Sequence, residues 1–330
     1  MNSKIRAKIS AVGHFLPDYV LTNKELEKLV ETNDEWIRTR TGIAERRLLK
    51  DPEKATAFMA AEAAREILKQ RDLDPAEIDA VIVATITPDY MFPSAACLTQ
   101  TMIGAKNAFA YDLSAACSGF IFALSSGAAL VESGQCRKVL VLGSDKMSSI
   151  IDFSDRTTCI LFGDAAAGVL IEPSEDEDGI IDHILHSSAE GAESLMQEGG
   201  GSRNPATHET VDKKMHYIRQ EGRIVFKKAT EGMADVSVAI MEKNGLTADD
   251  IAWLVPHQAN LRIIDATARR MGLDPEKVMI NIEKYGNTTA ATIPLCLYDW
   301  RNKLNKGDNI ILAAFGGGYT WGATYLKWAI

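Results

Sequence analysis

A long-range repeat constrains this 330-residue chain more than any single motif. The segment LDPAEIDAVIVAT, starting at Leu73, resembles LTADDIAWLVPHQ, starting at Leu246; each follows a helical pattern and leads into an apolar strand. Gly134 before VLVLG matches Gly307 before IILAAFG, and Gly143 matches Gly316. Position 73 pairs with 246, 134 with 307 and 143 with 316, a constant offset of 173. One register held over that span predicts two similar βα halves packed together, residues 1–173 and 174–330. The division falls in the charged, turn-rich stretch 172–179, EPSEDEDG. Pseudo-symmetry maps position 117 onto 290, so the segments around Cys117 and Asn287 are expected to meet at one central place.

Local patterns agree with an α/β chain. Residues 57–70 are alanine-rich with apolar side chains at helical spacing, and 80–86 (AVIVATI) read as a strand buried on both faces. Further strands are expected at 108–113, 139–143, 166–171, 253–256, 310–315 and 323–328. Helices are expected at 118–132, 230–243, 259–270 and 289–304. No run approaches the ~20 apolar residues of a membrane span, and the N-terminus lacks the apolar core of a signal peptide. The formal charge of −9 disfavours a general nucleic-acid binder, and any acidic partner must dock on a locally basic patch. Five cysteines, an odd number without a C-x-x-C pair, suit neither a disulfide framework nor a zinc site. They point to a reducing compartment, with the cytoplasm as the expected location.

Three residues stand where chemistry is expected. Cys117 lies in YDLSAACSGF, between an apolar strand and a helix. Small neighbours let a ligand approach, and the helix N-terminus offers positive potential to a thiolate. Lowering a thiol from ~8.5 to ~7 takes about 2 kcal/mol, whereas a helix end supplies ~0.3–1, so a nearby base or donor is required. By local sequence alone Cys117 is equally readable as a small buried hydrophobe, which suffices for Cys97, Cys136, Cys159 and Cys296. His257, in VPHQAN, leaves an apolar strand just before a helix, a working position in α/β folds, although alone it reads first as a structural histidine. Asn287, in YGNTTAA, reads by itself as a turn residue or N-cap. Phe315-Gly316-Gly317-Gly318 is either a loop exposing N–H groups or a flexible turn. GDAAAG at Gly163 lacks the spacing and preceding strand of a nucleotide loop.

Taken together, the chain resembles the β-ketoacyl-acyl-carrier-protein synthase III family, initiating condensing enzymes of type II fatty-acid synthesis. Seven blocks in family order carry the resemblance: TNDEWIRTRTGIAERR, FPSAACLTQ, DLSAACSGF, RTTCILFGDAA, PHQANLRI, YGNTTAA and FGGGYTWG. It implies the thiolase fold, two duplicated halves in a five-layered α-β-α-β-α arrangement, in keeping with the repeat. It implies Cys117 as the nucleophile that takes an acyl group from acyl-CoA. His257 and Asn287 are then the groups that bind the thioester carbonyl of malonyl-acyl carrier protein and stabilise the enolate formed on decarboxylation. The oxyanion hole falls to the backbone N–H groups of Cys117 and Gly317. No metal or redox cofactor is called for; acyl-CoA enters as substrate.

The resemblance further implies a CoA tunnel in which Trp36 and Arg156 sandwich the adenine, with Arg40 and Thr41 nearby. Phe92 is expected to border the acyl pocket of a neighbouring subunit, hence a homodimer. Arg262, Arg269, Arg270 and Lys227, extended by Lys228, are expected to dock the acidic carrier protein. Thiolases carry a second cysteine in the glycine loop and elongating synthases pair two histidines; neither pattern is present. The alternatives are a relative serving polyketide or signal-molecule synthesis, a non-catalytic scaffold, and a thiol redox sensor. The last is weakened by the want of a resolving cysteine near Cys117.

Overall fold

The apolar runs become strands, and the alanine- and glycine-rich stretches between them become helices. The computed structural model describes residues 5–174 and 176–330. The first half builds β1 (Arg6–Phe15), β2 (Ala80–Ala84), β3 (Phe109–Leu113), β4 (Val139–Asp145) and β5 (Ala165–Ser174). These form one sheet, ordered β1-β5-β4-β2-β3, in which β4, β2 and β3 are parallel while β5 runs antiparallel to both β4 and β1. The second half builds β6 (Gly179–Ser187), β7 (Trp253–Pro256), β8 (Asn309–Gly316) and β9 (Thr320–Lys327), ordered β6-β9-β8-β7.

Strand for strand the two orders coincide: β6 answers β1, β9 answers β5, β8 answers β4 and β7 answers β2. The starts of β1 and β6, at 6 and 179, and of β2 and β7, at 80 and 253, keep the offset read from the sequence. Where β3 flanks β2, the second half has, among the described residues, a single parallel bridge from Leu254 to Val278.

Among the described residues seven helices have eight or more residues, and all but the first build the layers: α1 (Asp34–Thr41), α2 (Thr56–Gln70), α3 (Ala95–Ile103), α4 (Gly119–Glu132), α5 (Gly222–Lys243), α6 (Leu261–Met271) and α7 (Thr292–Trp300). A helix that is apolar all round must be buried, and α4 (GFIFALSSGAALVE) together with α7 forms the central layer. One core cluster joins Phe120 and Leu124 of α4 and Ile293 and Leu297 of α7 to Ile82 and Val141 of the first sheet and Leu312 and Leu326 of the second. A second cluster packs α2 and α3 on the outer face of the first sheet, and a third packs α5 and α6 on the outer face of the second. The result is the α-β-α-β-α sandwich.

Several elements differ from the sequence expectation. β1 and β6 carry no clear strand signal, because RAKISAVGHF and GIIDHILHS mix charge and imidazole into their apolar pattern. Their pairing comes from β5 and β9. α1 and α3 also lie outside the expected helices. α5 starts at Gly222 rather than 230, because its first turns pack Val225 and Phe226 beside the outer core of the second sheet. α7 is shorter than 289–304: residues 289–291 form a 3₁₀ turn in which Thr289 takes φ +50°, and the helix ends at Trp300. Among the described residues no helix is long and apolar enough to cross a membrane.

Candidate active site

A cavity of about 530 Å³ opens at the junction of the two halves, and Cys117, His257, Asn287 and Gly316–Gly318 all line it. Cys117 sits in the 3₁₀ turn Ala116–Ser118 after β3, directly before α4, whose N-terminus has no side-chain cap. The first N–H groups of that helix therefore lack the usual side-chain acceptor. Ala116 adopts φ +45°, and Ser118 Oγ fastens the turn by donating to the Thr320 carbonyl at 2.9 Å. Beneath it the end of β8 leaves no room for a side chain: a Cβ on Gly316 would lie 2.7 Å from the Cys117 nitrogen. The glycine run thus begins as a packing requirement, not as a flexible turn.

His257 continues the parallel ladder past β7, its N–H donating to the Ala313 carbonyl at 2.7 Å. Its Nδ1 lies 2.7 Å from Thr292 Oγ1, and Nε2 is buried without a partner among the described residues. Burial lowers the imidazole to about 3, so it is neutral at pH 7. Asn287 is held by its N–H donating to the Leu161 carbonyl at 2.8 Å, while its Oδ1 accepts from the Thr289 N–H at 2.9 Å. With Oδ1 so engaged, the amide Nδ2 is the end of Asn287 left to donate, on the cavity that Cys117 also lines.

Burial, with the Asp145 charge second, pushes the Cys117 thiol up to about 12, against the opposing pull of Asn287. The resting nucleophile is therefore a thiol. The positive potential expected from the helix N-terminus is outweighed by desolvation, and the opposing pull of Asn287 does not bring the thiol down to a thiolate.

Of the residues expected around CoA, Trp36 on α1 has the Arg40 and Arg156 guanidinium carbons 5.4 and 5.2 Å from its ring centroid. Arg156 is also tethered by Nη1 donating to the Glu31 carbonyl at 2.8 Å. Thr41 stands apart from this group. It is buried, its hydroxyl donates to the Ile37 carbonyl at 2.7 Å and accepts from the Ile43 N–H, so it closes α1 instead of facing a ligand. Thr157, which follows Arg156 in RTTCILFGDAA but has no expected role there, lines the cavity.

Phe92 does not border this chain's cavity; with Tyr90 and Met91 it forms an apolar loop tip, Phe92 itself being 87% exposed. Arg262, Arg269 and Arg270 are exposed on α6 and Lys227 on α5. Arg262 stacks on Phe226, a cavity-wall residue, with its guanidinium carbon 5.3 Å from the ring centroid, whereas Arg270 is engaged by Asp235 at 3.4 Å. The basic patch therefore starts at the mouth of the cavity.

A small antiparallel ribbon, Leu195–Gln197 with Ile218–Gln220, walls one side and is not evident from the sequence. Thr292 and Asp145 likewise lie outside every motif, and Thr289, though inside YGNTTAA, carries no sign of its own role. Only Asp145 leaves a signal, a carboxylate closing the apolar run VLVLGSD. Among the described residues no three His, Cys, Asp or Glu side chains are grouped as metal ligands.

A cysteine, a neutral histidine and an asparagine, brought from two like halves onto one cavity between stacked sheets, define a condensing enzyme of the thiolase fold. The models for 3-oxoacyl-[acyl-carrier-protein] synthase III match residues 111–189 and, for its C-terminal part, 241–328. A β-ketoacyl-[acyl-carrier-protein] synthase III of Chlorobium chlorochromatii is 59% identical over 328 residues, spanning 98% of this chain and all of that one. One from Porphyromonas gingivalis is 53% identical over 327 residues, 99% of this chain and 98% of its own. The crystal structure of the Aquifex aeolicus 3-oxoacyl-[acyl-carrier-protein] synthase III superposes with a TM-score of 0.90 at 44% identity, covering 98% of this chain and 100% of that one. The chain belongs to the β-ketoacyl-[acyl-carrier-protein] synthase III family, acyltransferases that carry out the initiating condensation of fatty-acid synthesis.

Proposed function

We propose that this chain joins an acyl-CoA primer to malonyl-acyl carrier protein through an acyl-Cys117 intermediate. The observation that carries the reading is the convergence of Cys117, His257 and Asn287 on one cavity. In the first half-reaction the Cys117 sulfur attacks the thioester carbonyl, the C–S bond to CoA breaks, and the thiol proton ends on the departing CoA sulfur. The oxyanion formed on the way is met by the N–H groups of Cys117 and Gly317. In the second, the malonyl carboxylate leaves as carbon dioxide, and the enolate carbon attacks the acyl carbonyl. The Cys117 sulfur leaves and regains a proton.

His257 Nε2 and Asn287 Nδ2 hold the enolate oxygen. For Nε2 to donate, Nδ1 must accept, which requires the Thr292 hydroxyl to turn its proton from the Thr289 carbonyl, 3.1 Å away, to Nδ1 at 2.7 Å. Aimed neutral donors in a water-poor site suit an oxyanion that exists only transiently, and each such donor is worth roughly 10²–10³ in rate. No cofactor enters either step. Trp36 with Arg156 and Arg40 offers an aromatic face and guanidinium planes to the adenine of CoA. Arg262, Arg269, Arg270 and Lys227 receive the carrier, overcoming the repulsion expected of an acidic enzyme. The exposed Phe92 serves the pocket of a second copy in a homodimer, and the enzyme works in the cytoplasm.

Intact-protein mass after incubation with acetyl-, isobutyryl- and longer acyl-CoAs tests the first half-reaction. A one-acyl adduct on the wild type and none on Cys117→Ala is expected, and the same assay reveals the preferred primer. No adduct from any acyl-CoA overturns CoA priming.

A further inference from the structure

A buried carboxylate lies one residue beyond the catalytic triad, and neither half-reaction uses it. Asp145, at the end of β4, is fully buried and among the described residues has no cationic hydrogen-bond partner. Its Oδ1 accepts four bonds from the turn after β2: Thr85 Oγ1 at 2.9 Å, the Ile86 N–H at 2.8 Å, the Thr87 N–H at 3.2 Å and Thr87 Oγ1 at 3.0 Å. Its Oδ2 accepts one bond, from the Thr289 hydroxyl. The four are internal to the first half; the fifth crosses to the second. The Thr289 N–H in turn holds Asn287 Oδ1, which leaves the Asn287 amide nitrogen as the end free to donate on the cavity it shares with Cys117.

The molecule supplies its own control for the hydroxyl. Residue 116 is the pseudo-symmetric twin of 289, and both take the left-handed backbone, φ +45° at Ala116 and φ +50° at Thr289. Ala116 makes this turn with a methyl group, so the turn does not require an anchored side chain. Thr289 differs from its twin in the tie to Asp145, and the side chain its N–H holds is Asn287, whose own twin is Ser114.

We propose that Asp145 is a positioning residue which, through the Thr289 hydroxyl, fixes the turn whose N–H orients the Asn287 carboxamide for enolate stabilisation. Four bonds lock the carboxylate to one half, and the fifth sets the other half's donor against it. The inference rests on the reading of Asn287 as a donor in the condensation step.

The test separates the half-reactions in Thr289→Ala, Thr289→Ser, Asp145→Asn and Asn287→Ala. Condensation is measured per acylated site, counted by intact mass, so that a loss of folded enzyme does not register. Thr289→Ala is expected to lower kcat for condensation by about 10–100-fold, the effect of a misplaced group. Acyl-CoA self-acylation and the KM for acyl-CoA should stay within about threefold, and Thr289→Ser should restore most of the loss. Asp145→Asn keeps an acceptor for the Thr85–Thr87 turn but turns an N–H toward Thr289, and is expected to fall between them.

In the Asn287→Ala background Thr289→Ala should cost nothing further, since it acts only through Asn287. Full-rate condensation in Thr289→Ala, an equal loss of both half-reactions, or additive losses in the double variant overturns the proposal. Asn287→Ala condensing as fast as wild type overturns instead the role given to Asn287, and the two failures are thereby distinct.

Discussion

The two halves share a backbone and divide the chemistry. Cys117 has Ala290 as its twin, His257 has Ala84, and Asn287 has Ser114. The two alanines meet across the central helix: a Cβ on Gly119 would lie 3.0 Å from the Ala84 Cβ and 3.4 Å from that of Ala290. Where the second half places its imidazole the first has a packing methyl, and where the first places its thiol the second has another. The supporting glycines are twinned too. A Cβ on Gly143 would lie 2.4 Å from the Ala290 carbonyl oxygen, just as one on Gly316 would crowd Cys117. The scaffold was thus kept on both sides while the reactive side chains were divided between them. One site results instead of two, because the nucleophile and the donors must face one substrate carbon.

That division makes the halves separable by experiment. The largest effect is expected from His257→Ala, which should reduce condensation by roughly 10²–10³ while leaving Cys117 self-acylation nearly intact. Single-turnover acylation followed by malonyl-carrier chase reads both, and equal loss of the two would dissolve the assignment of separate roles.

Next are the twinned glycines. Gly143→Ala and Gly316→Ala each overpack the core, at a cost of about 1–3 kcal/mol by thermal or urea unfolding. Their activity losses should differ in kind. Gly316→Ala presses on the Cys117 turn and impairs acylation; Gly143→Ala presses on the 289–291 turn and impairs condensation with acylation largely kept. The same half-reaction failing in both would show that the site responds as one block.

The last difference is in the pH dependence of stability, where the halves pull at opposite limbs. His257, lowered to about 3, binds its proton more readily unfolded, so its contribution is complete above the ordinary histidine range and is lost as pH falls through that range toward 3. Cys117, raised to about 12, contributes fully below the usual thiol range and loses that contribution as pH rises toward 12. Each slope is limited to about 1.4 kcal/mol per pH unit. His257→Gln should flatten only the acid limb of urea unfolding, and Cys117→Ala only the alkaline limb. Unchanged limbs would show that the two groups are solvated in the cavity.

Much of this is legible in the chain itself. The offset of 173 foretells the twinned sheets, since a β-strand or buried helix must repeat its apolar pattern to repeat its packing. The central strands β2, β4, β7 and β8, nearly all buried, lie within a few residues of their expected ends. The edge strands β1 and β6 are not legible, because their identity comes from the strands they pair with. The triad is legible as residue types at strand ends and turns, and the resemblance joins them.

The aim of each group is a different matter. Thr41 shares a motif with Trp36 and yet points into the protein, because helix periodicity turns the side chain at the end of α1 inward. Whether Cys117 rests as thiol or thiolate depends on burial and on a carboxylate 28 positions away, at Asp145. The tie from Asp145 through Thr289 to Asn287 crosses from one half to the other, between residues 145 and 289. Sequence determined the duplicated fold and which residue types could react, because those depend on local pattern. Only the tertiary structure decided their protonation and aim, because desolvation and hydrogen-bond direction are set by neighbours distant in the chain.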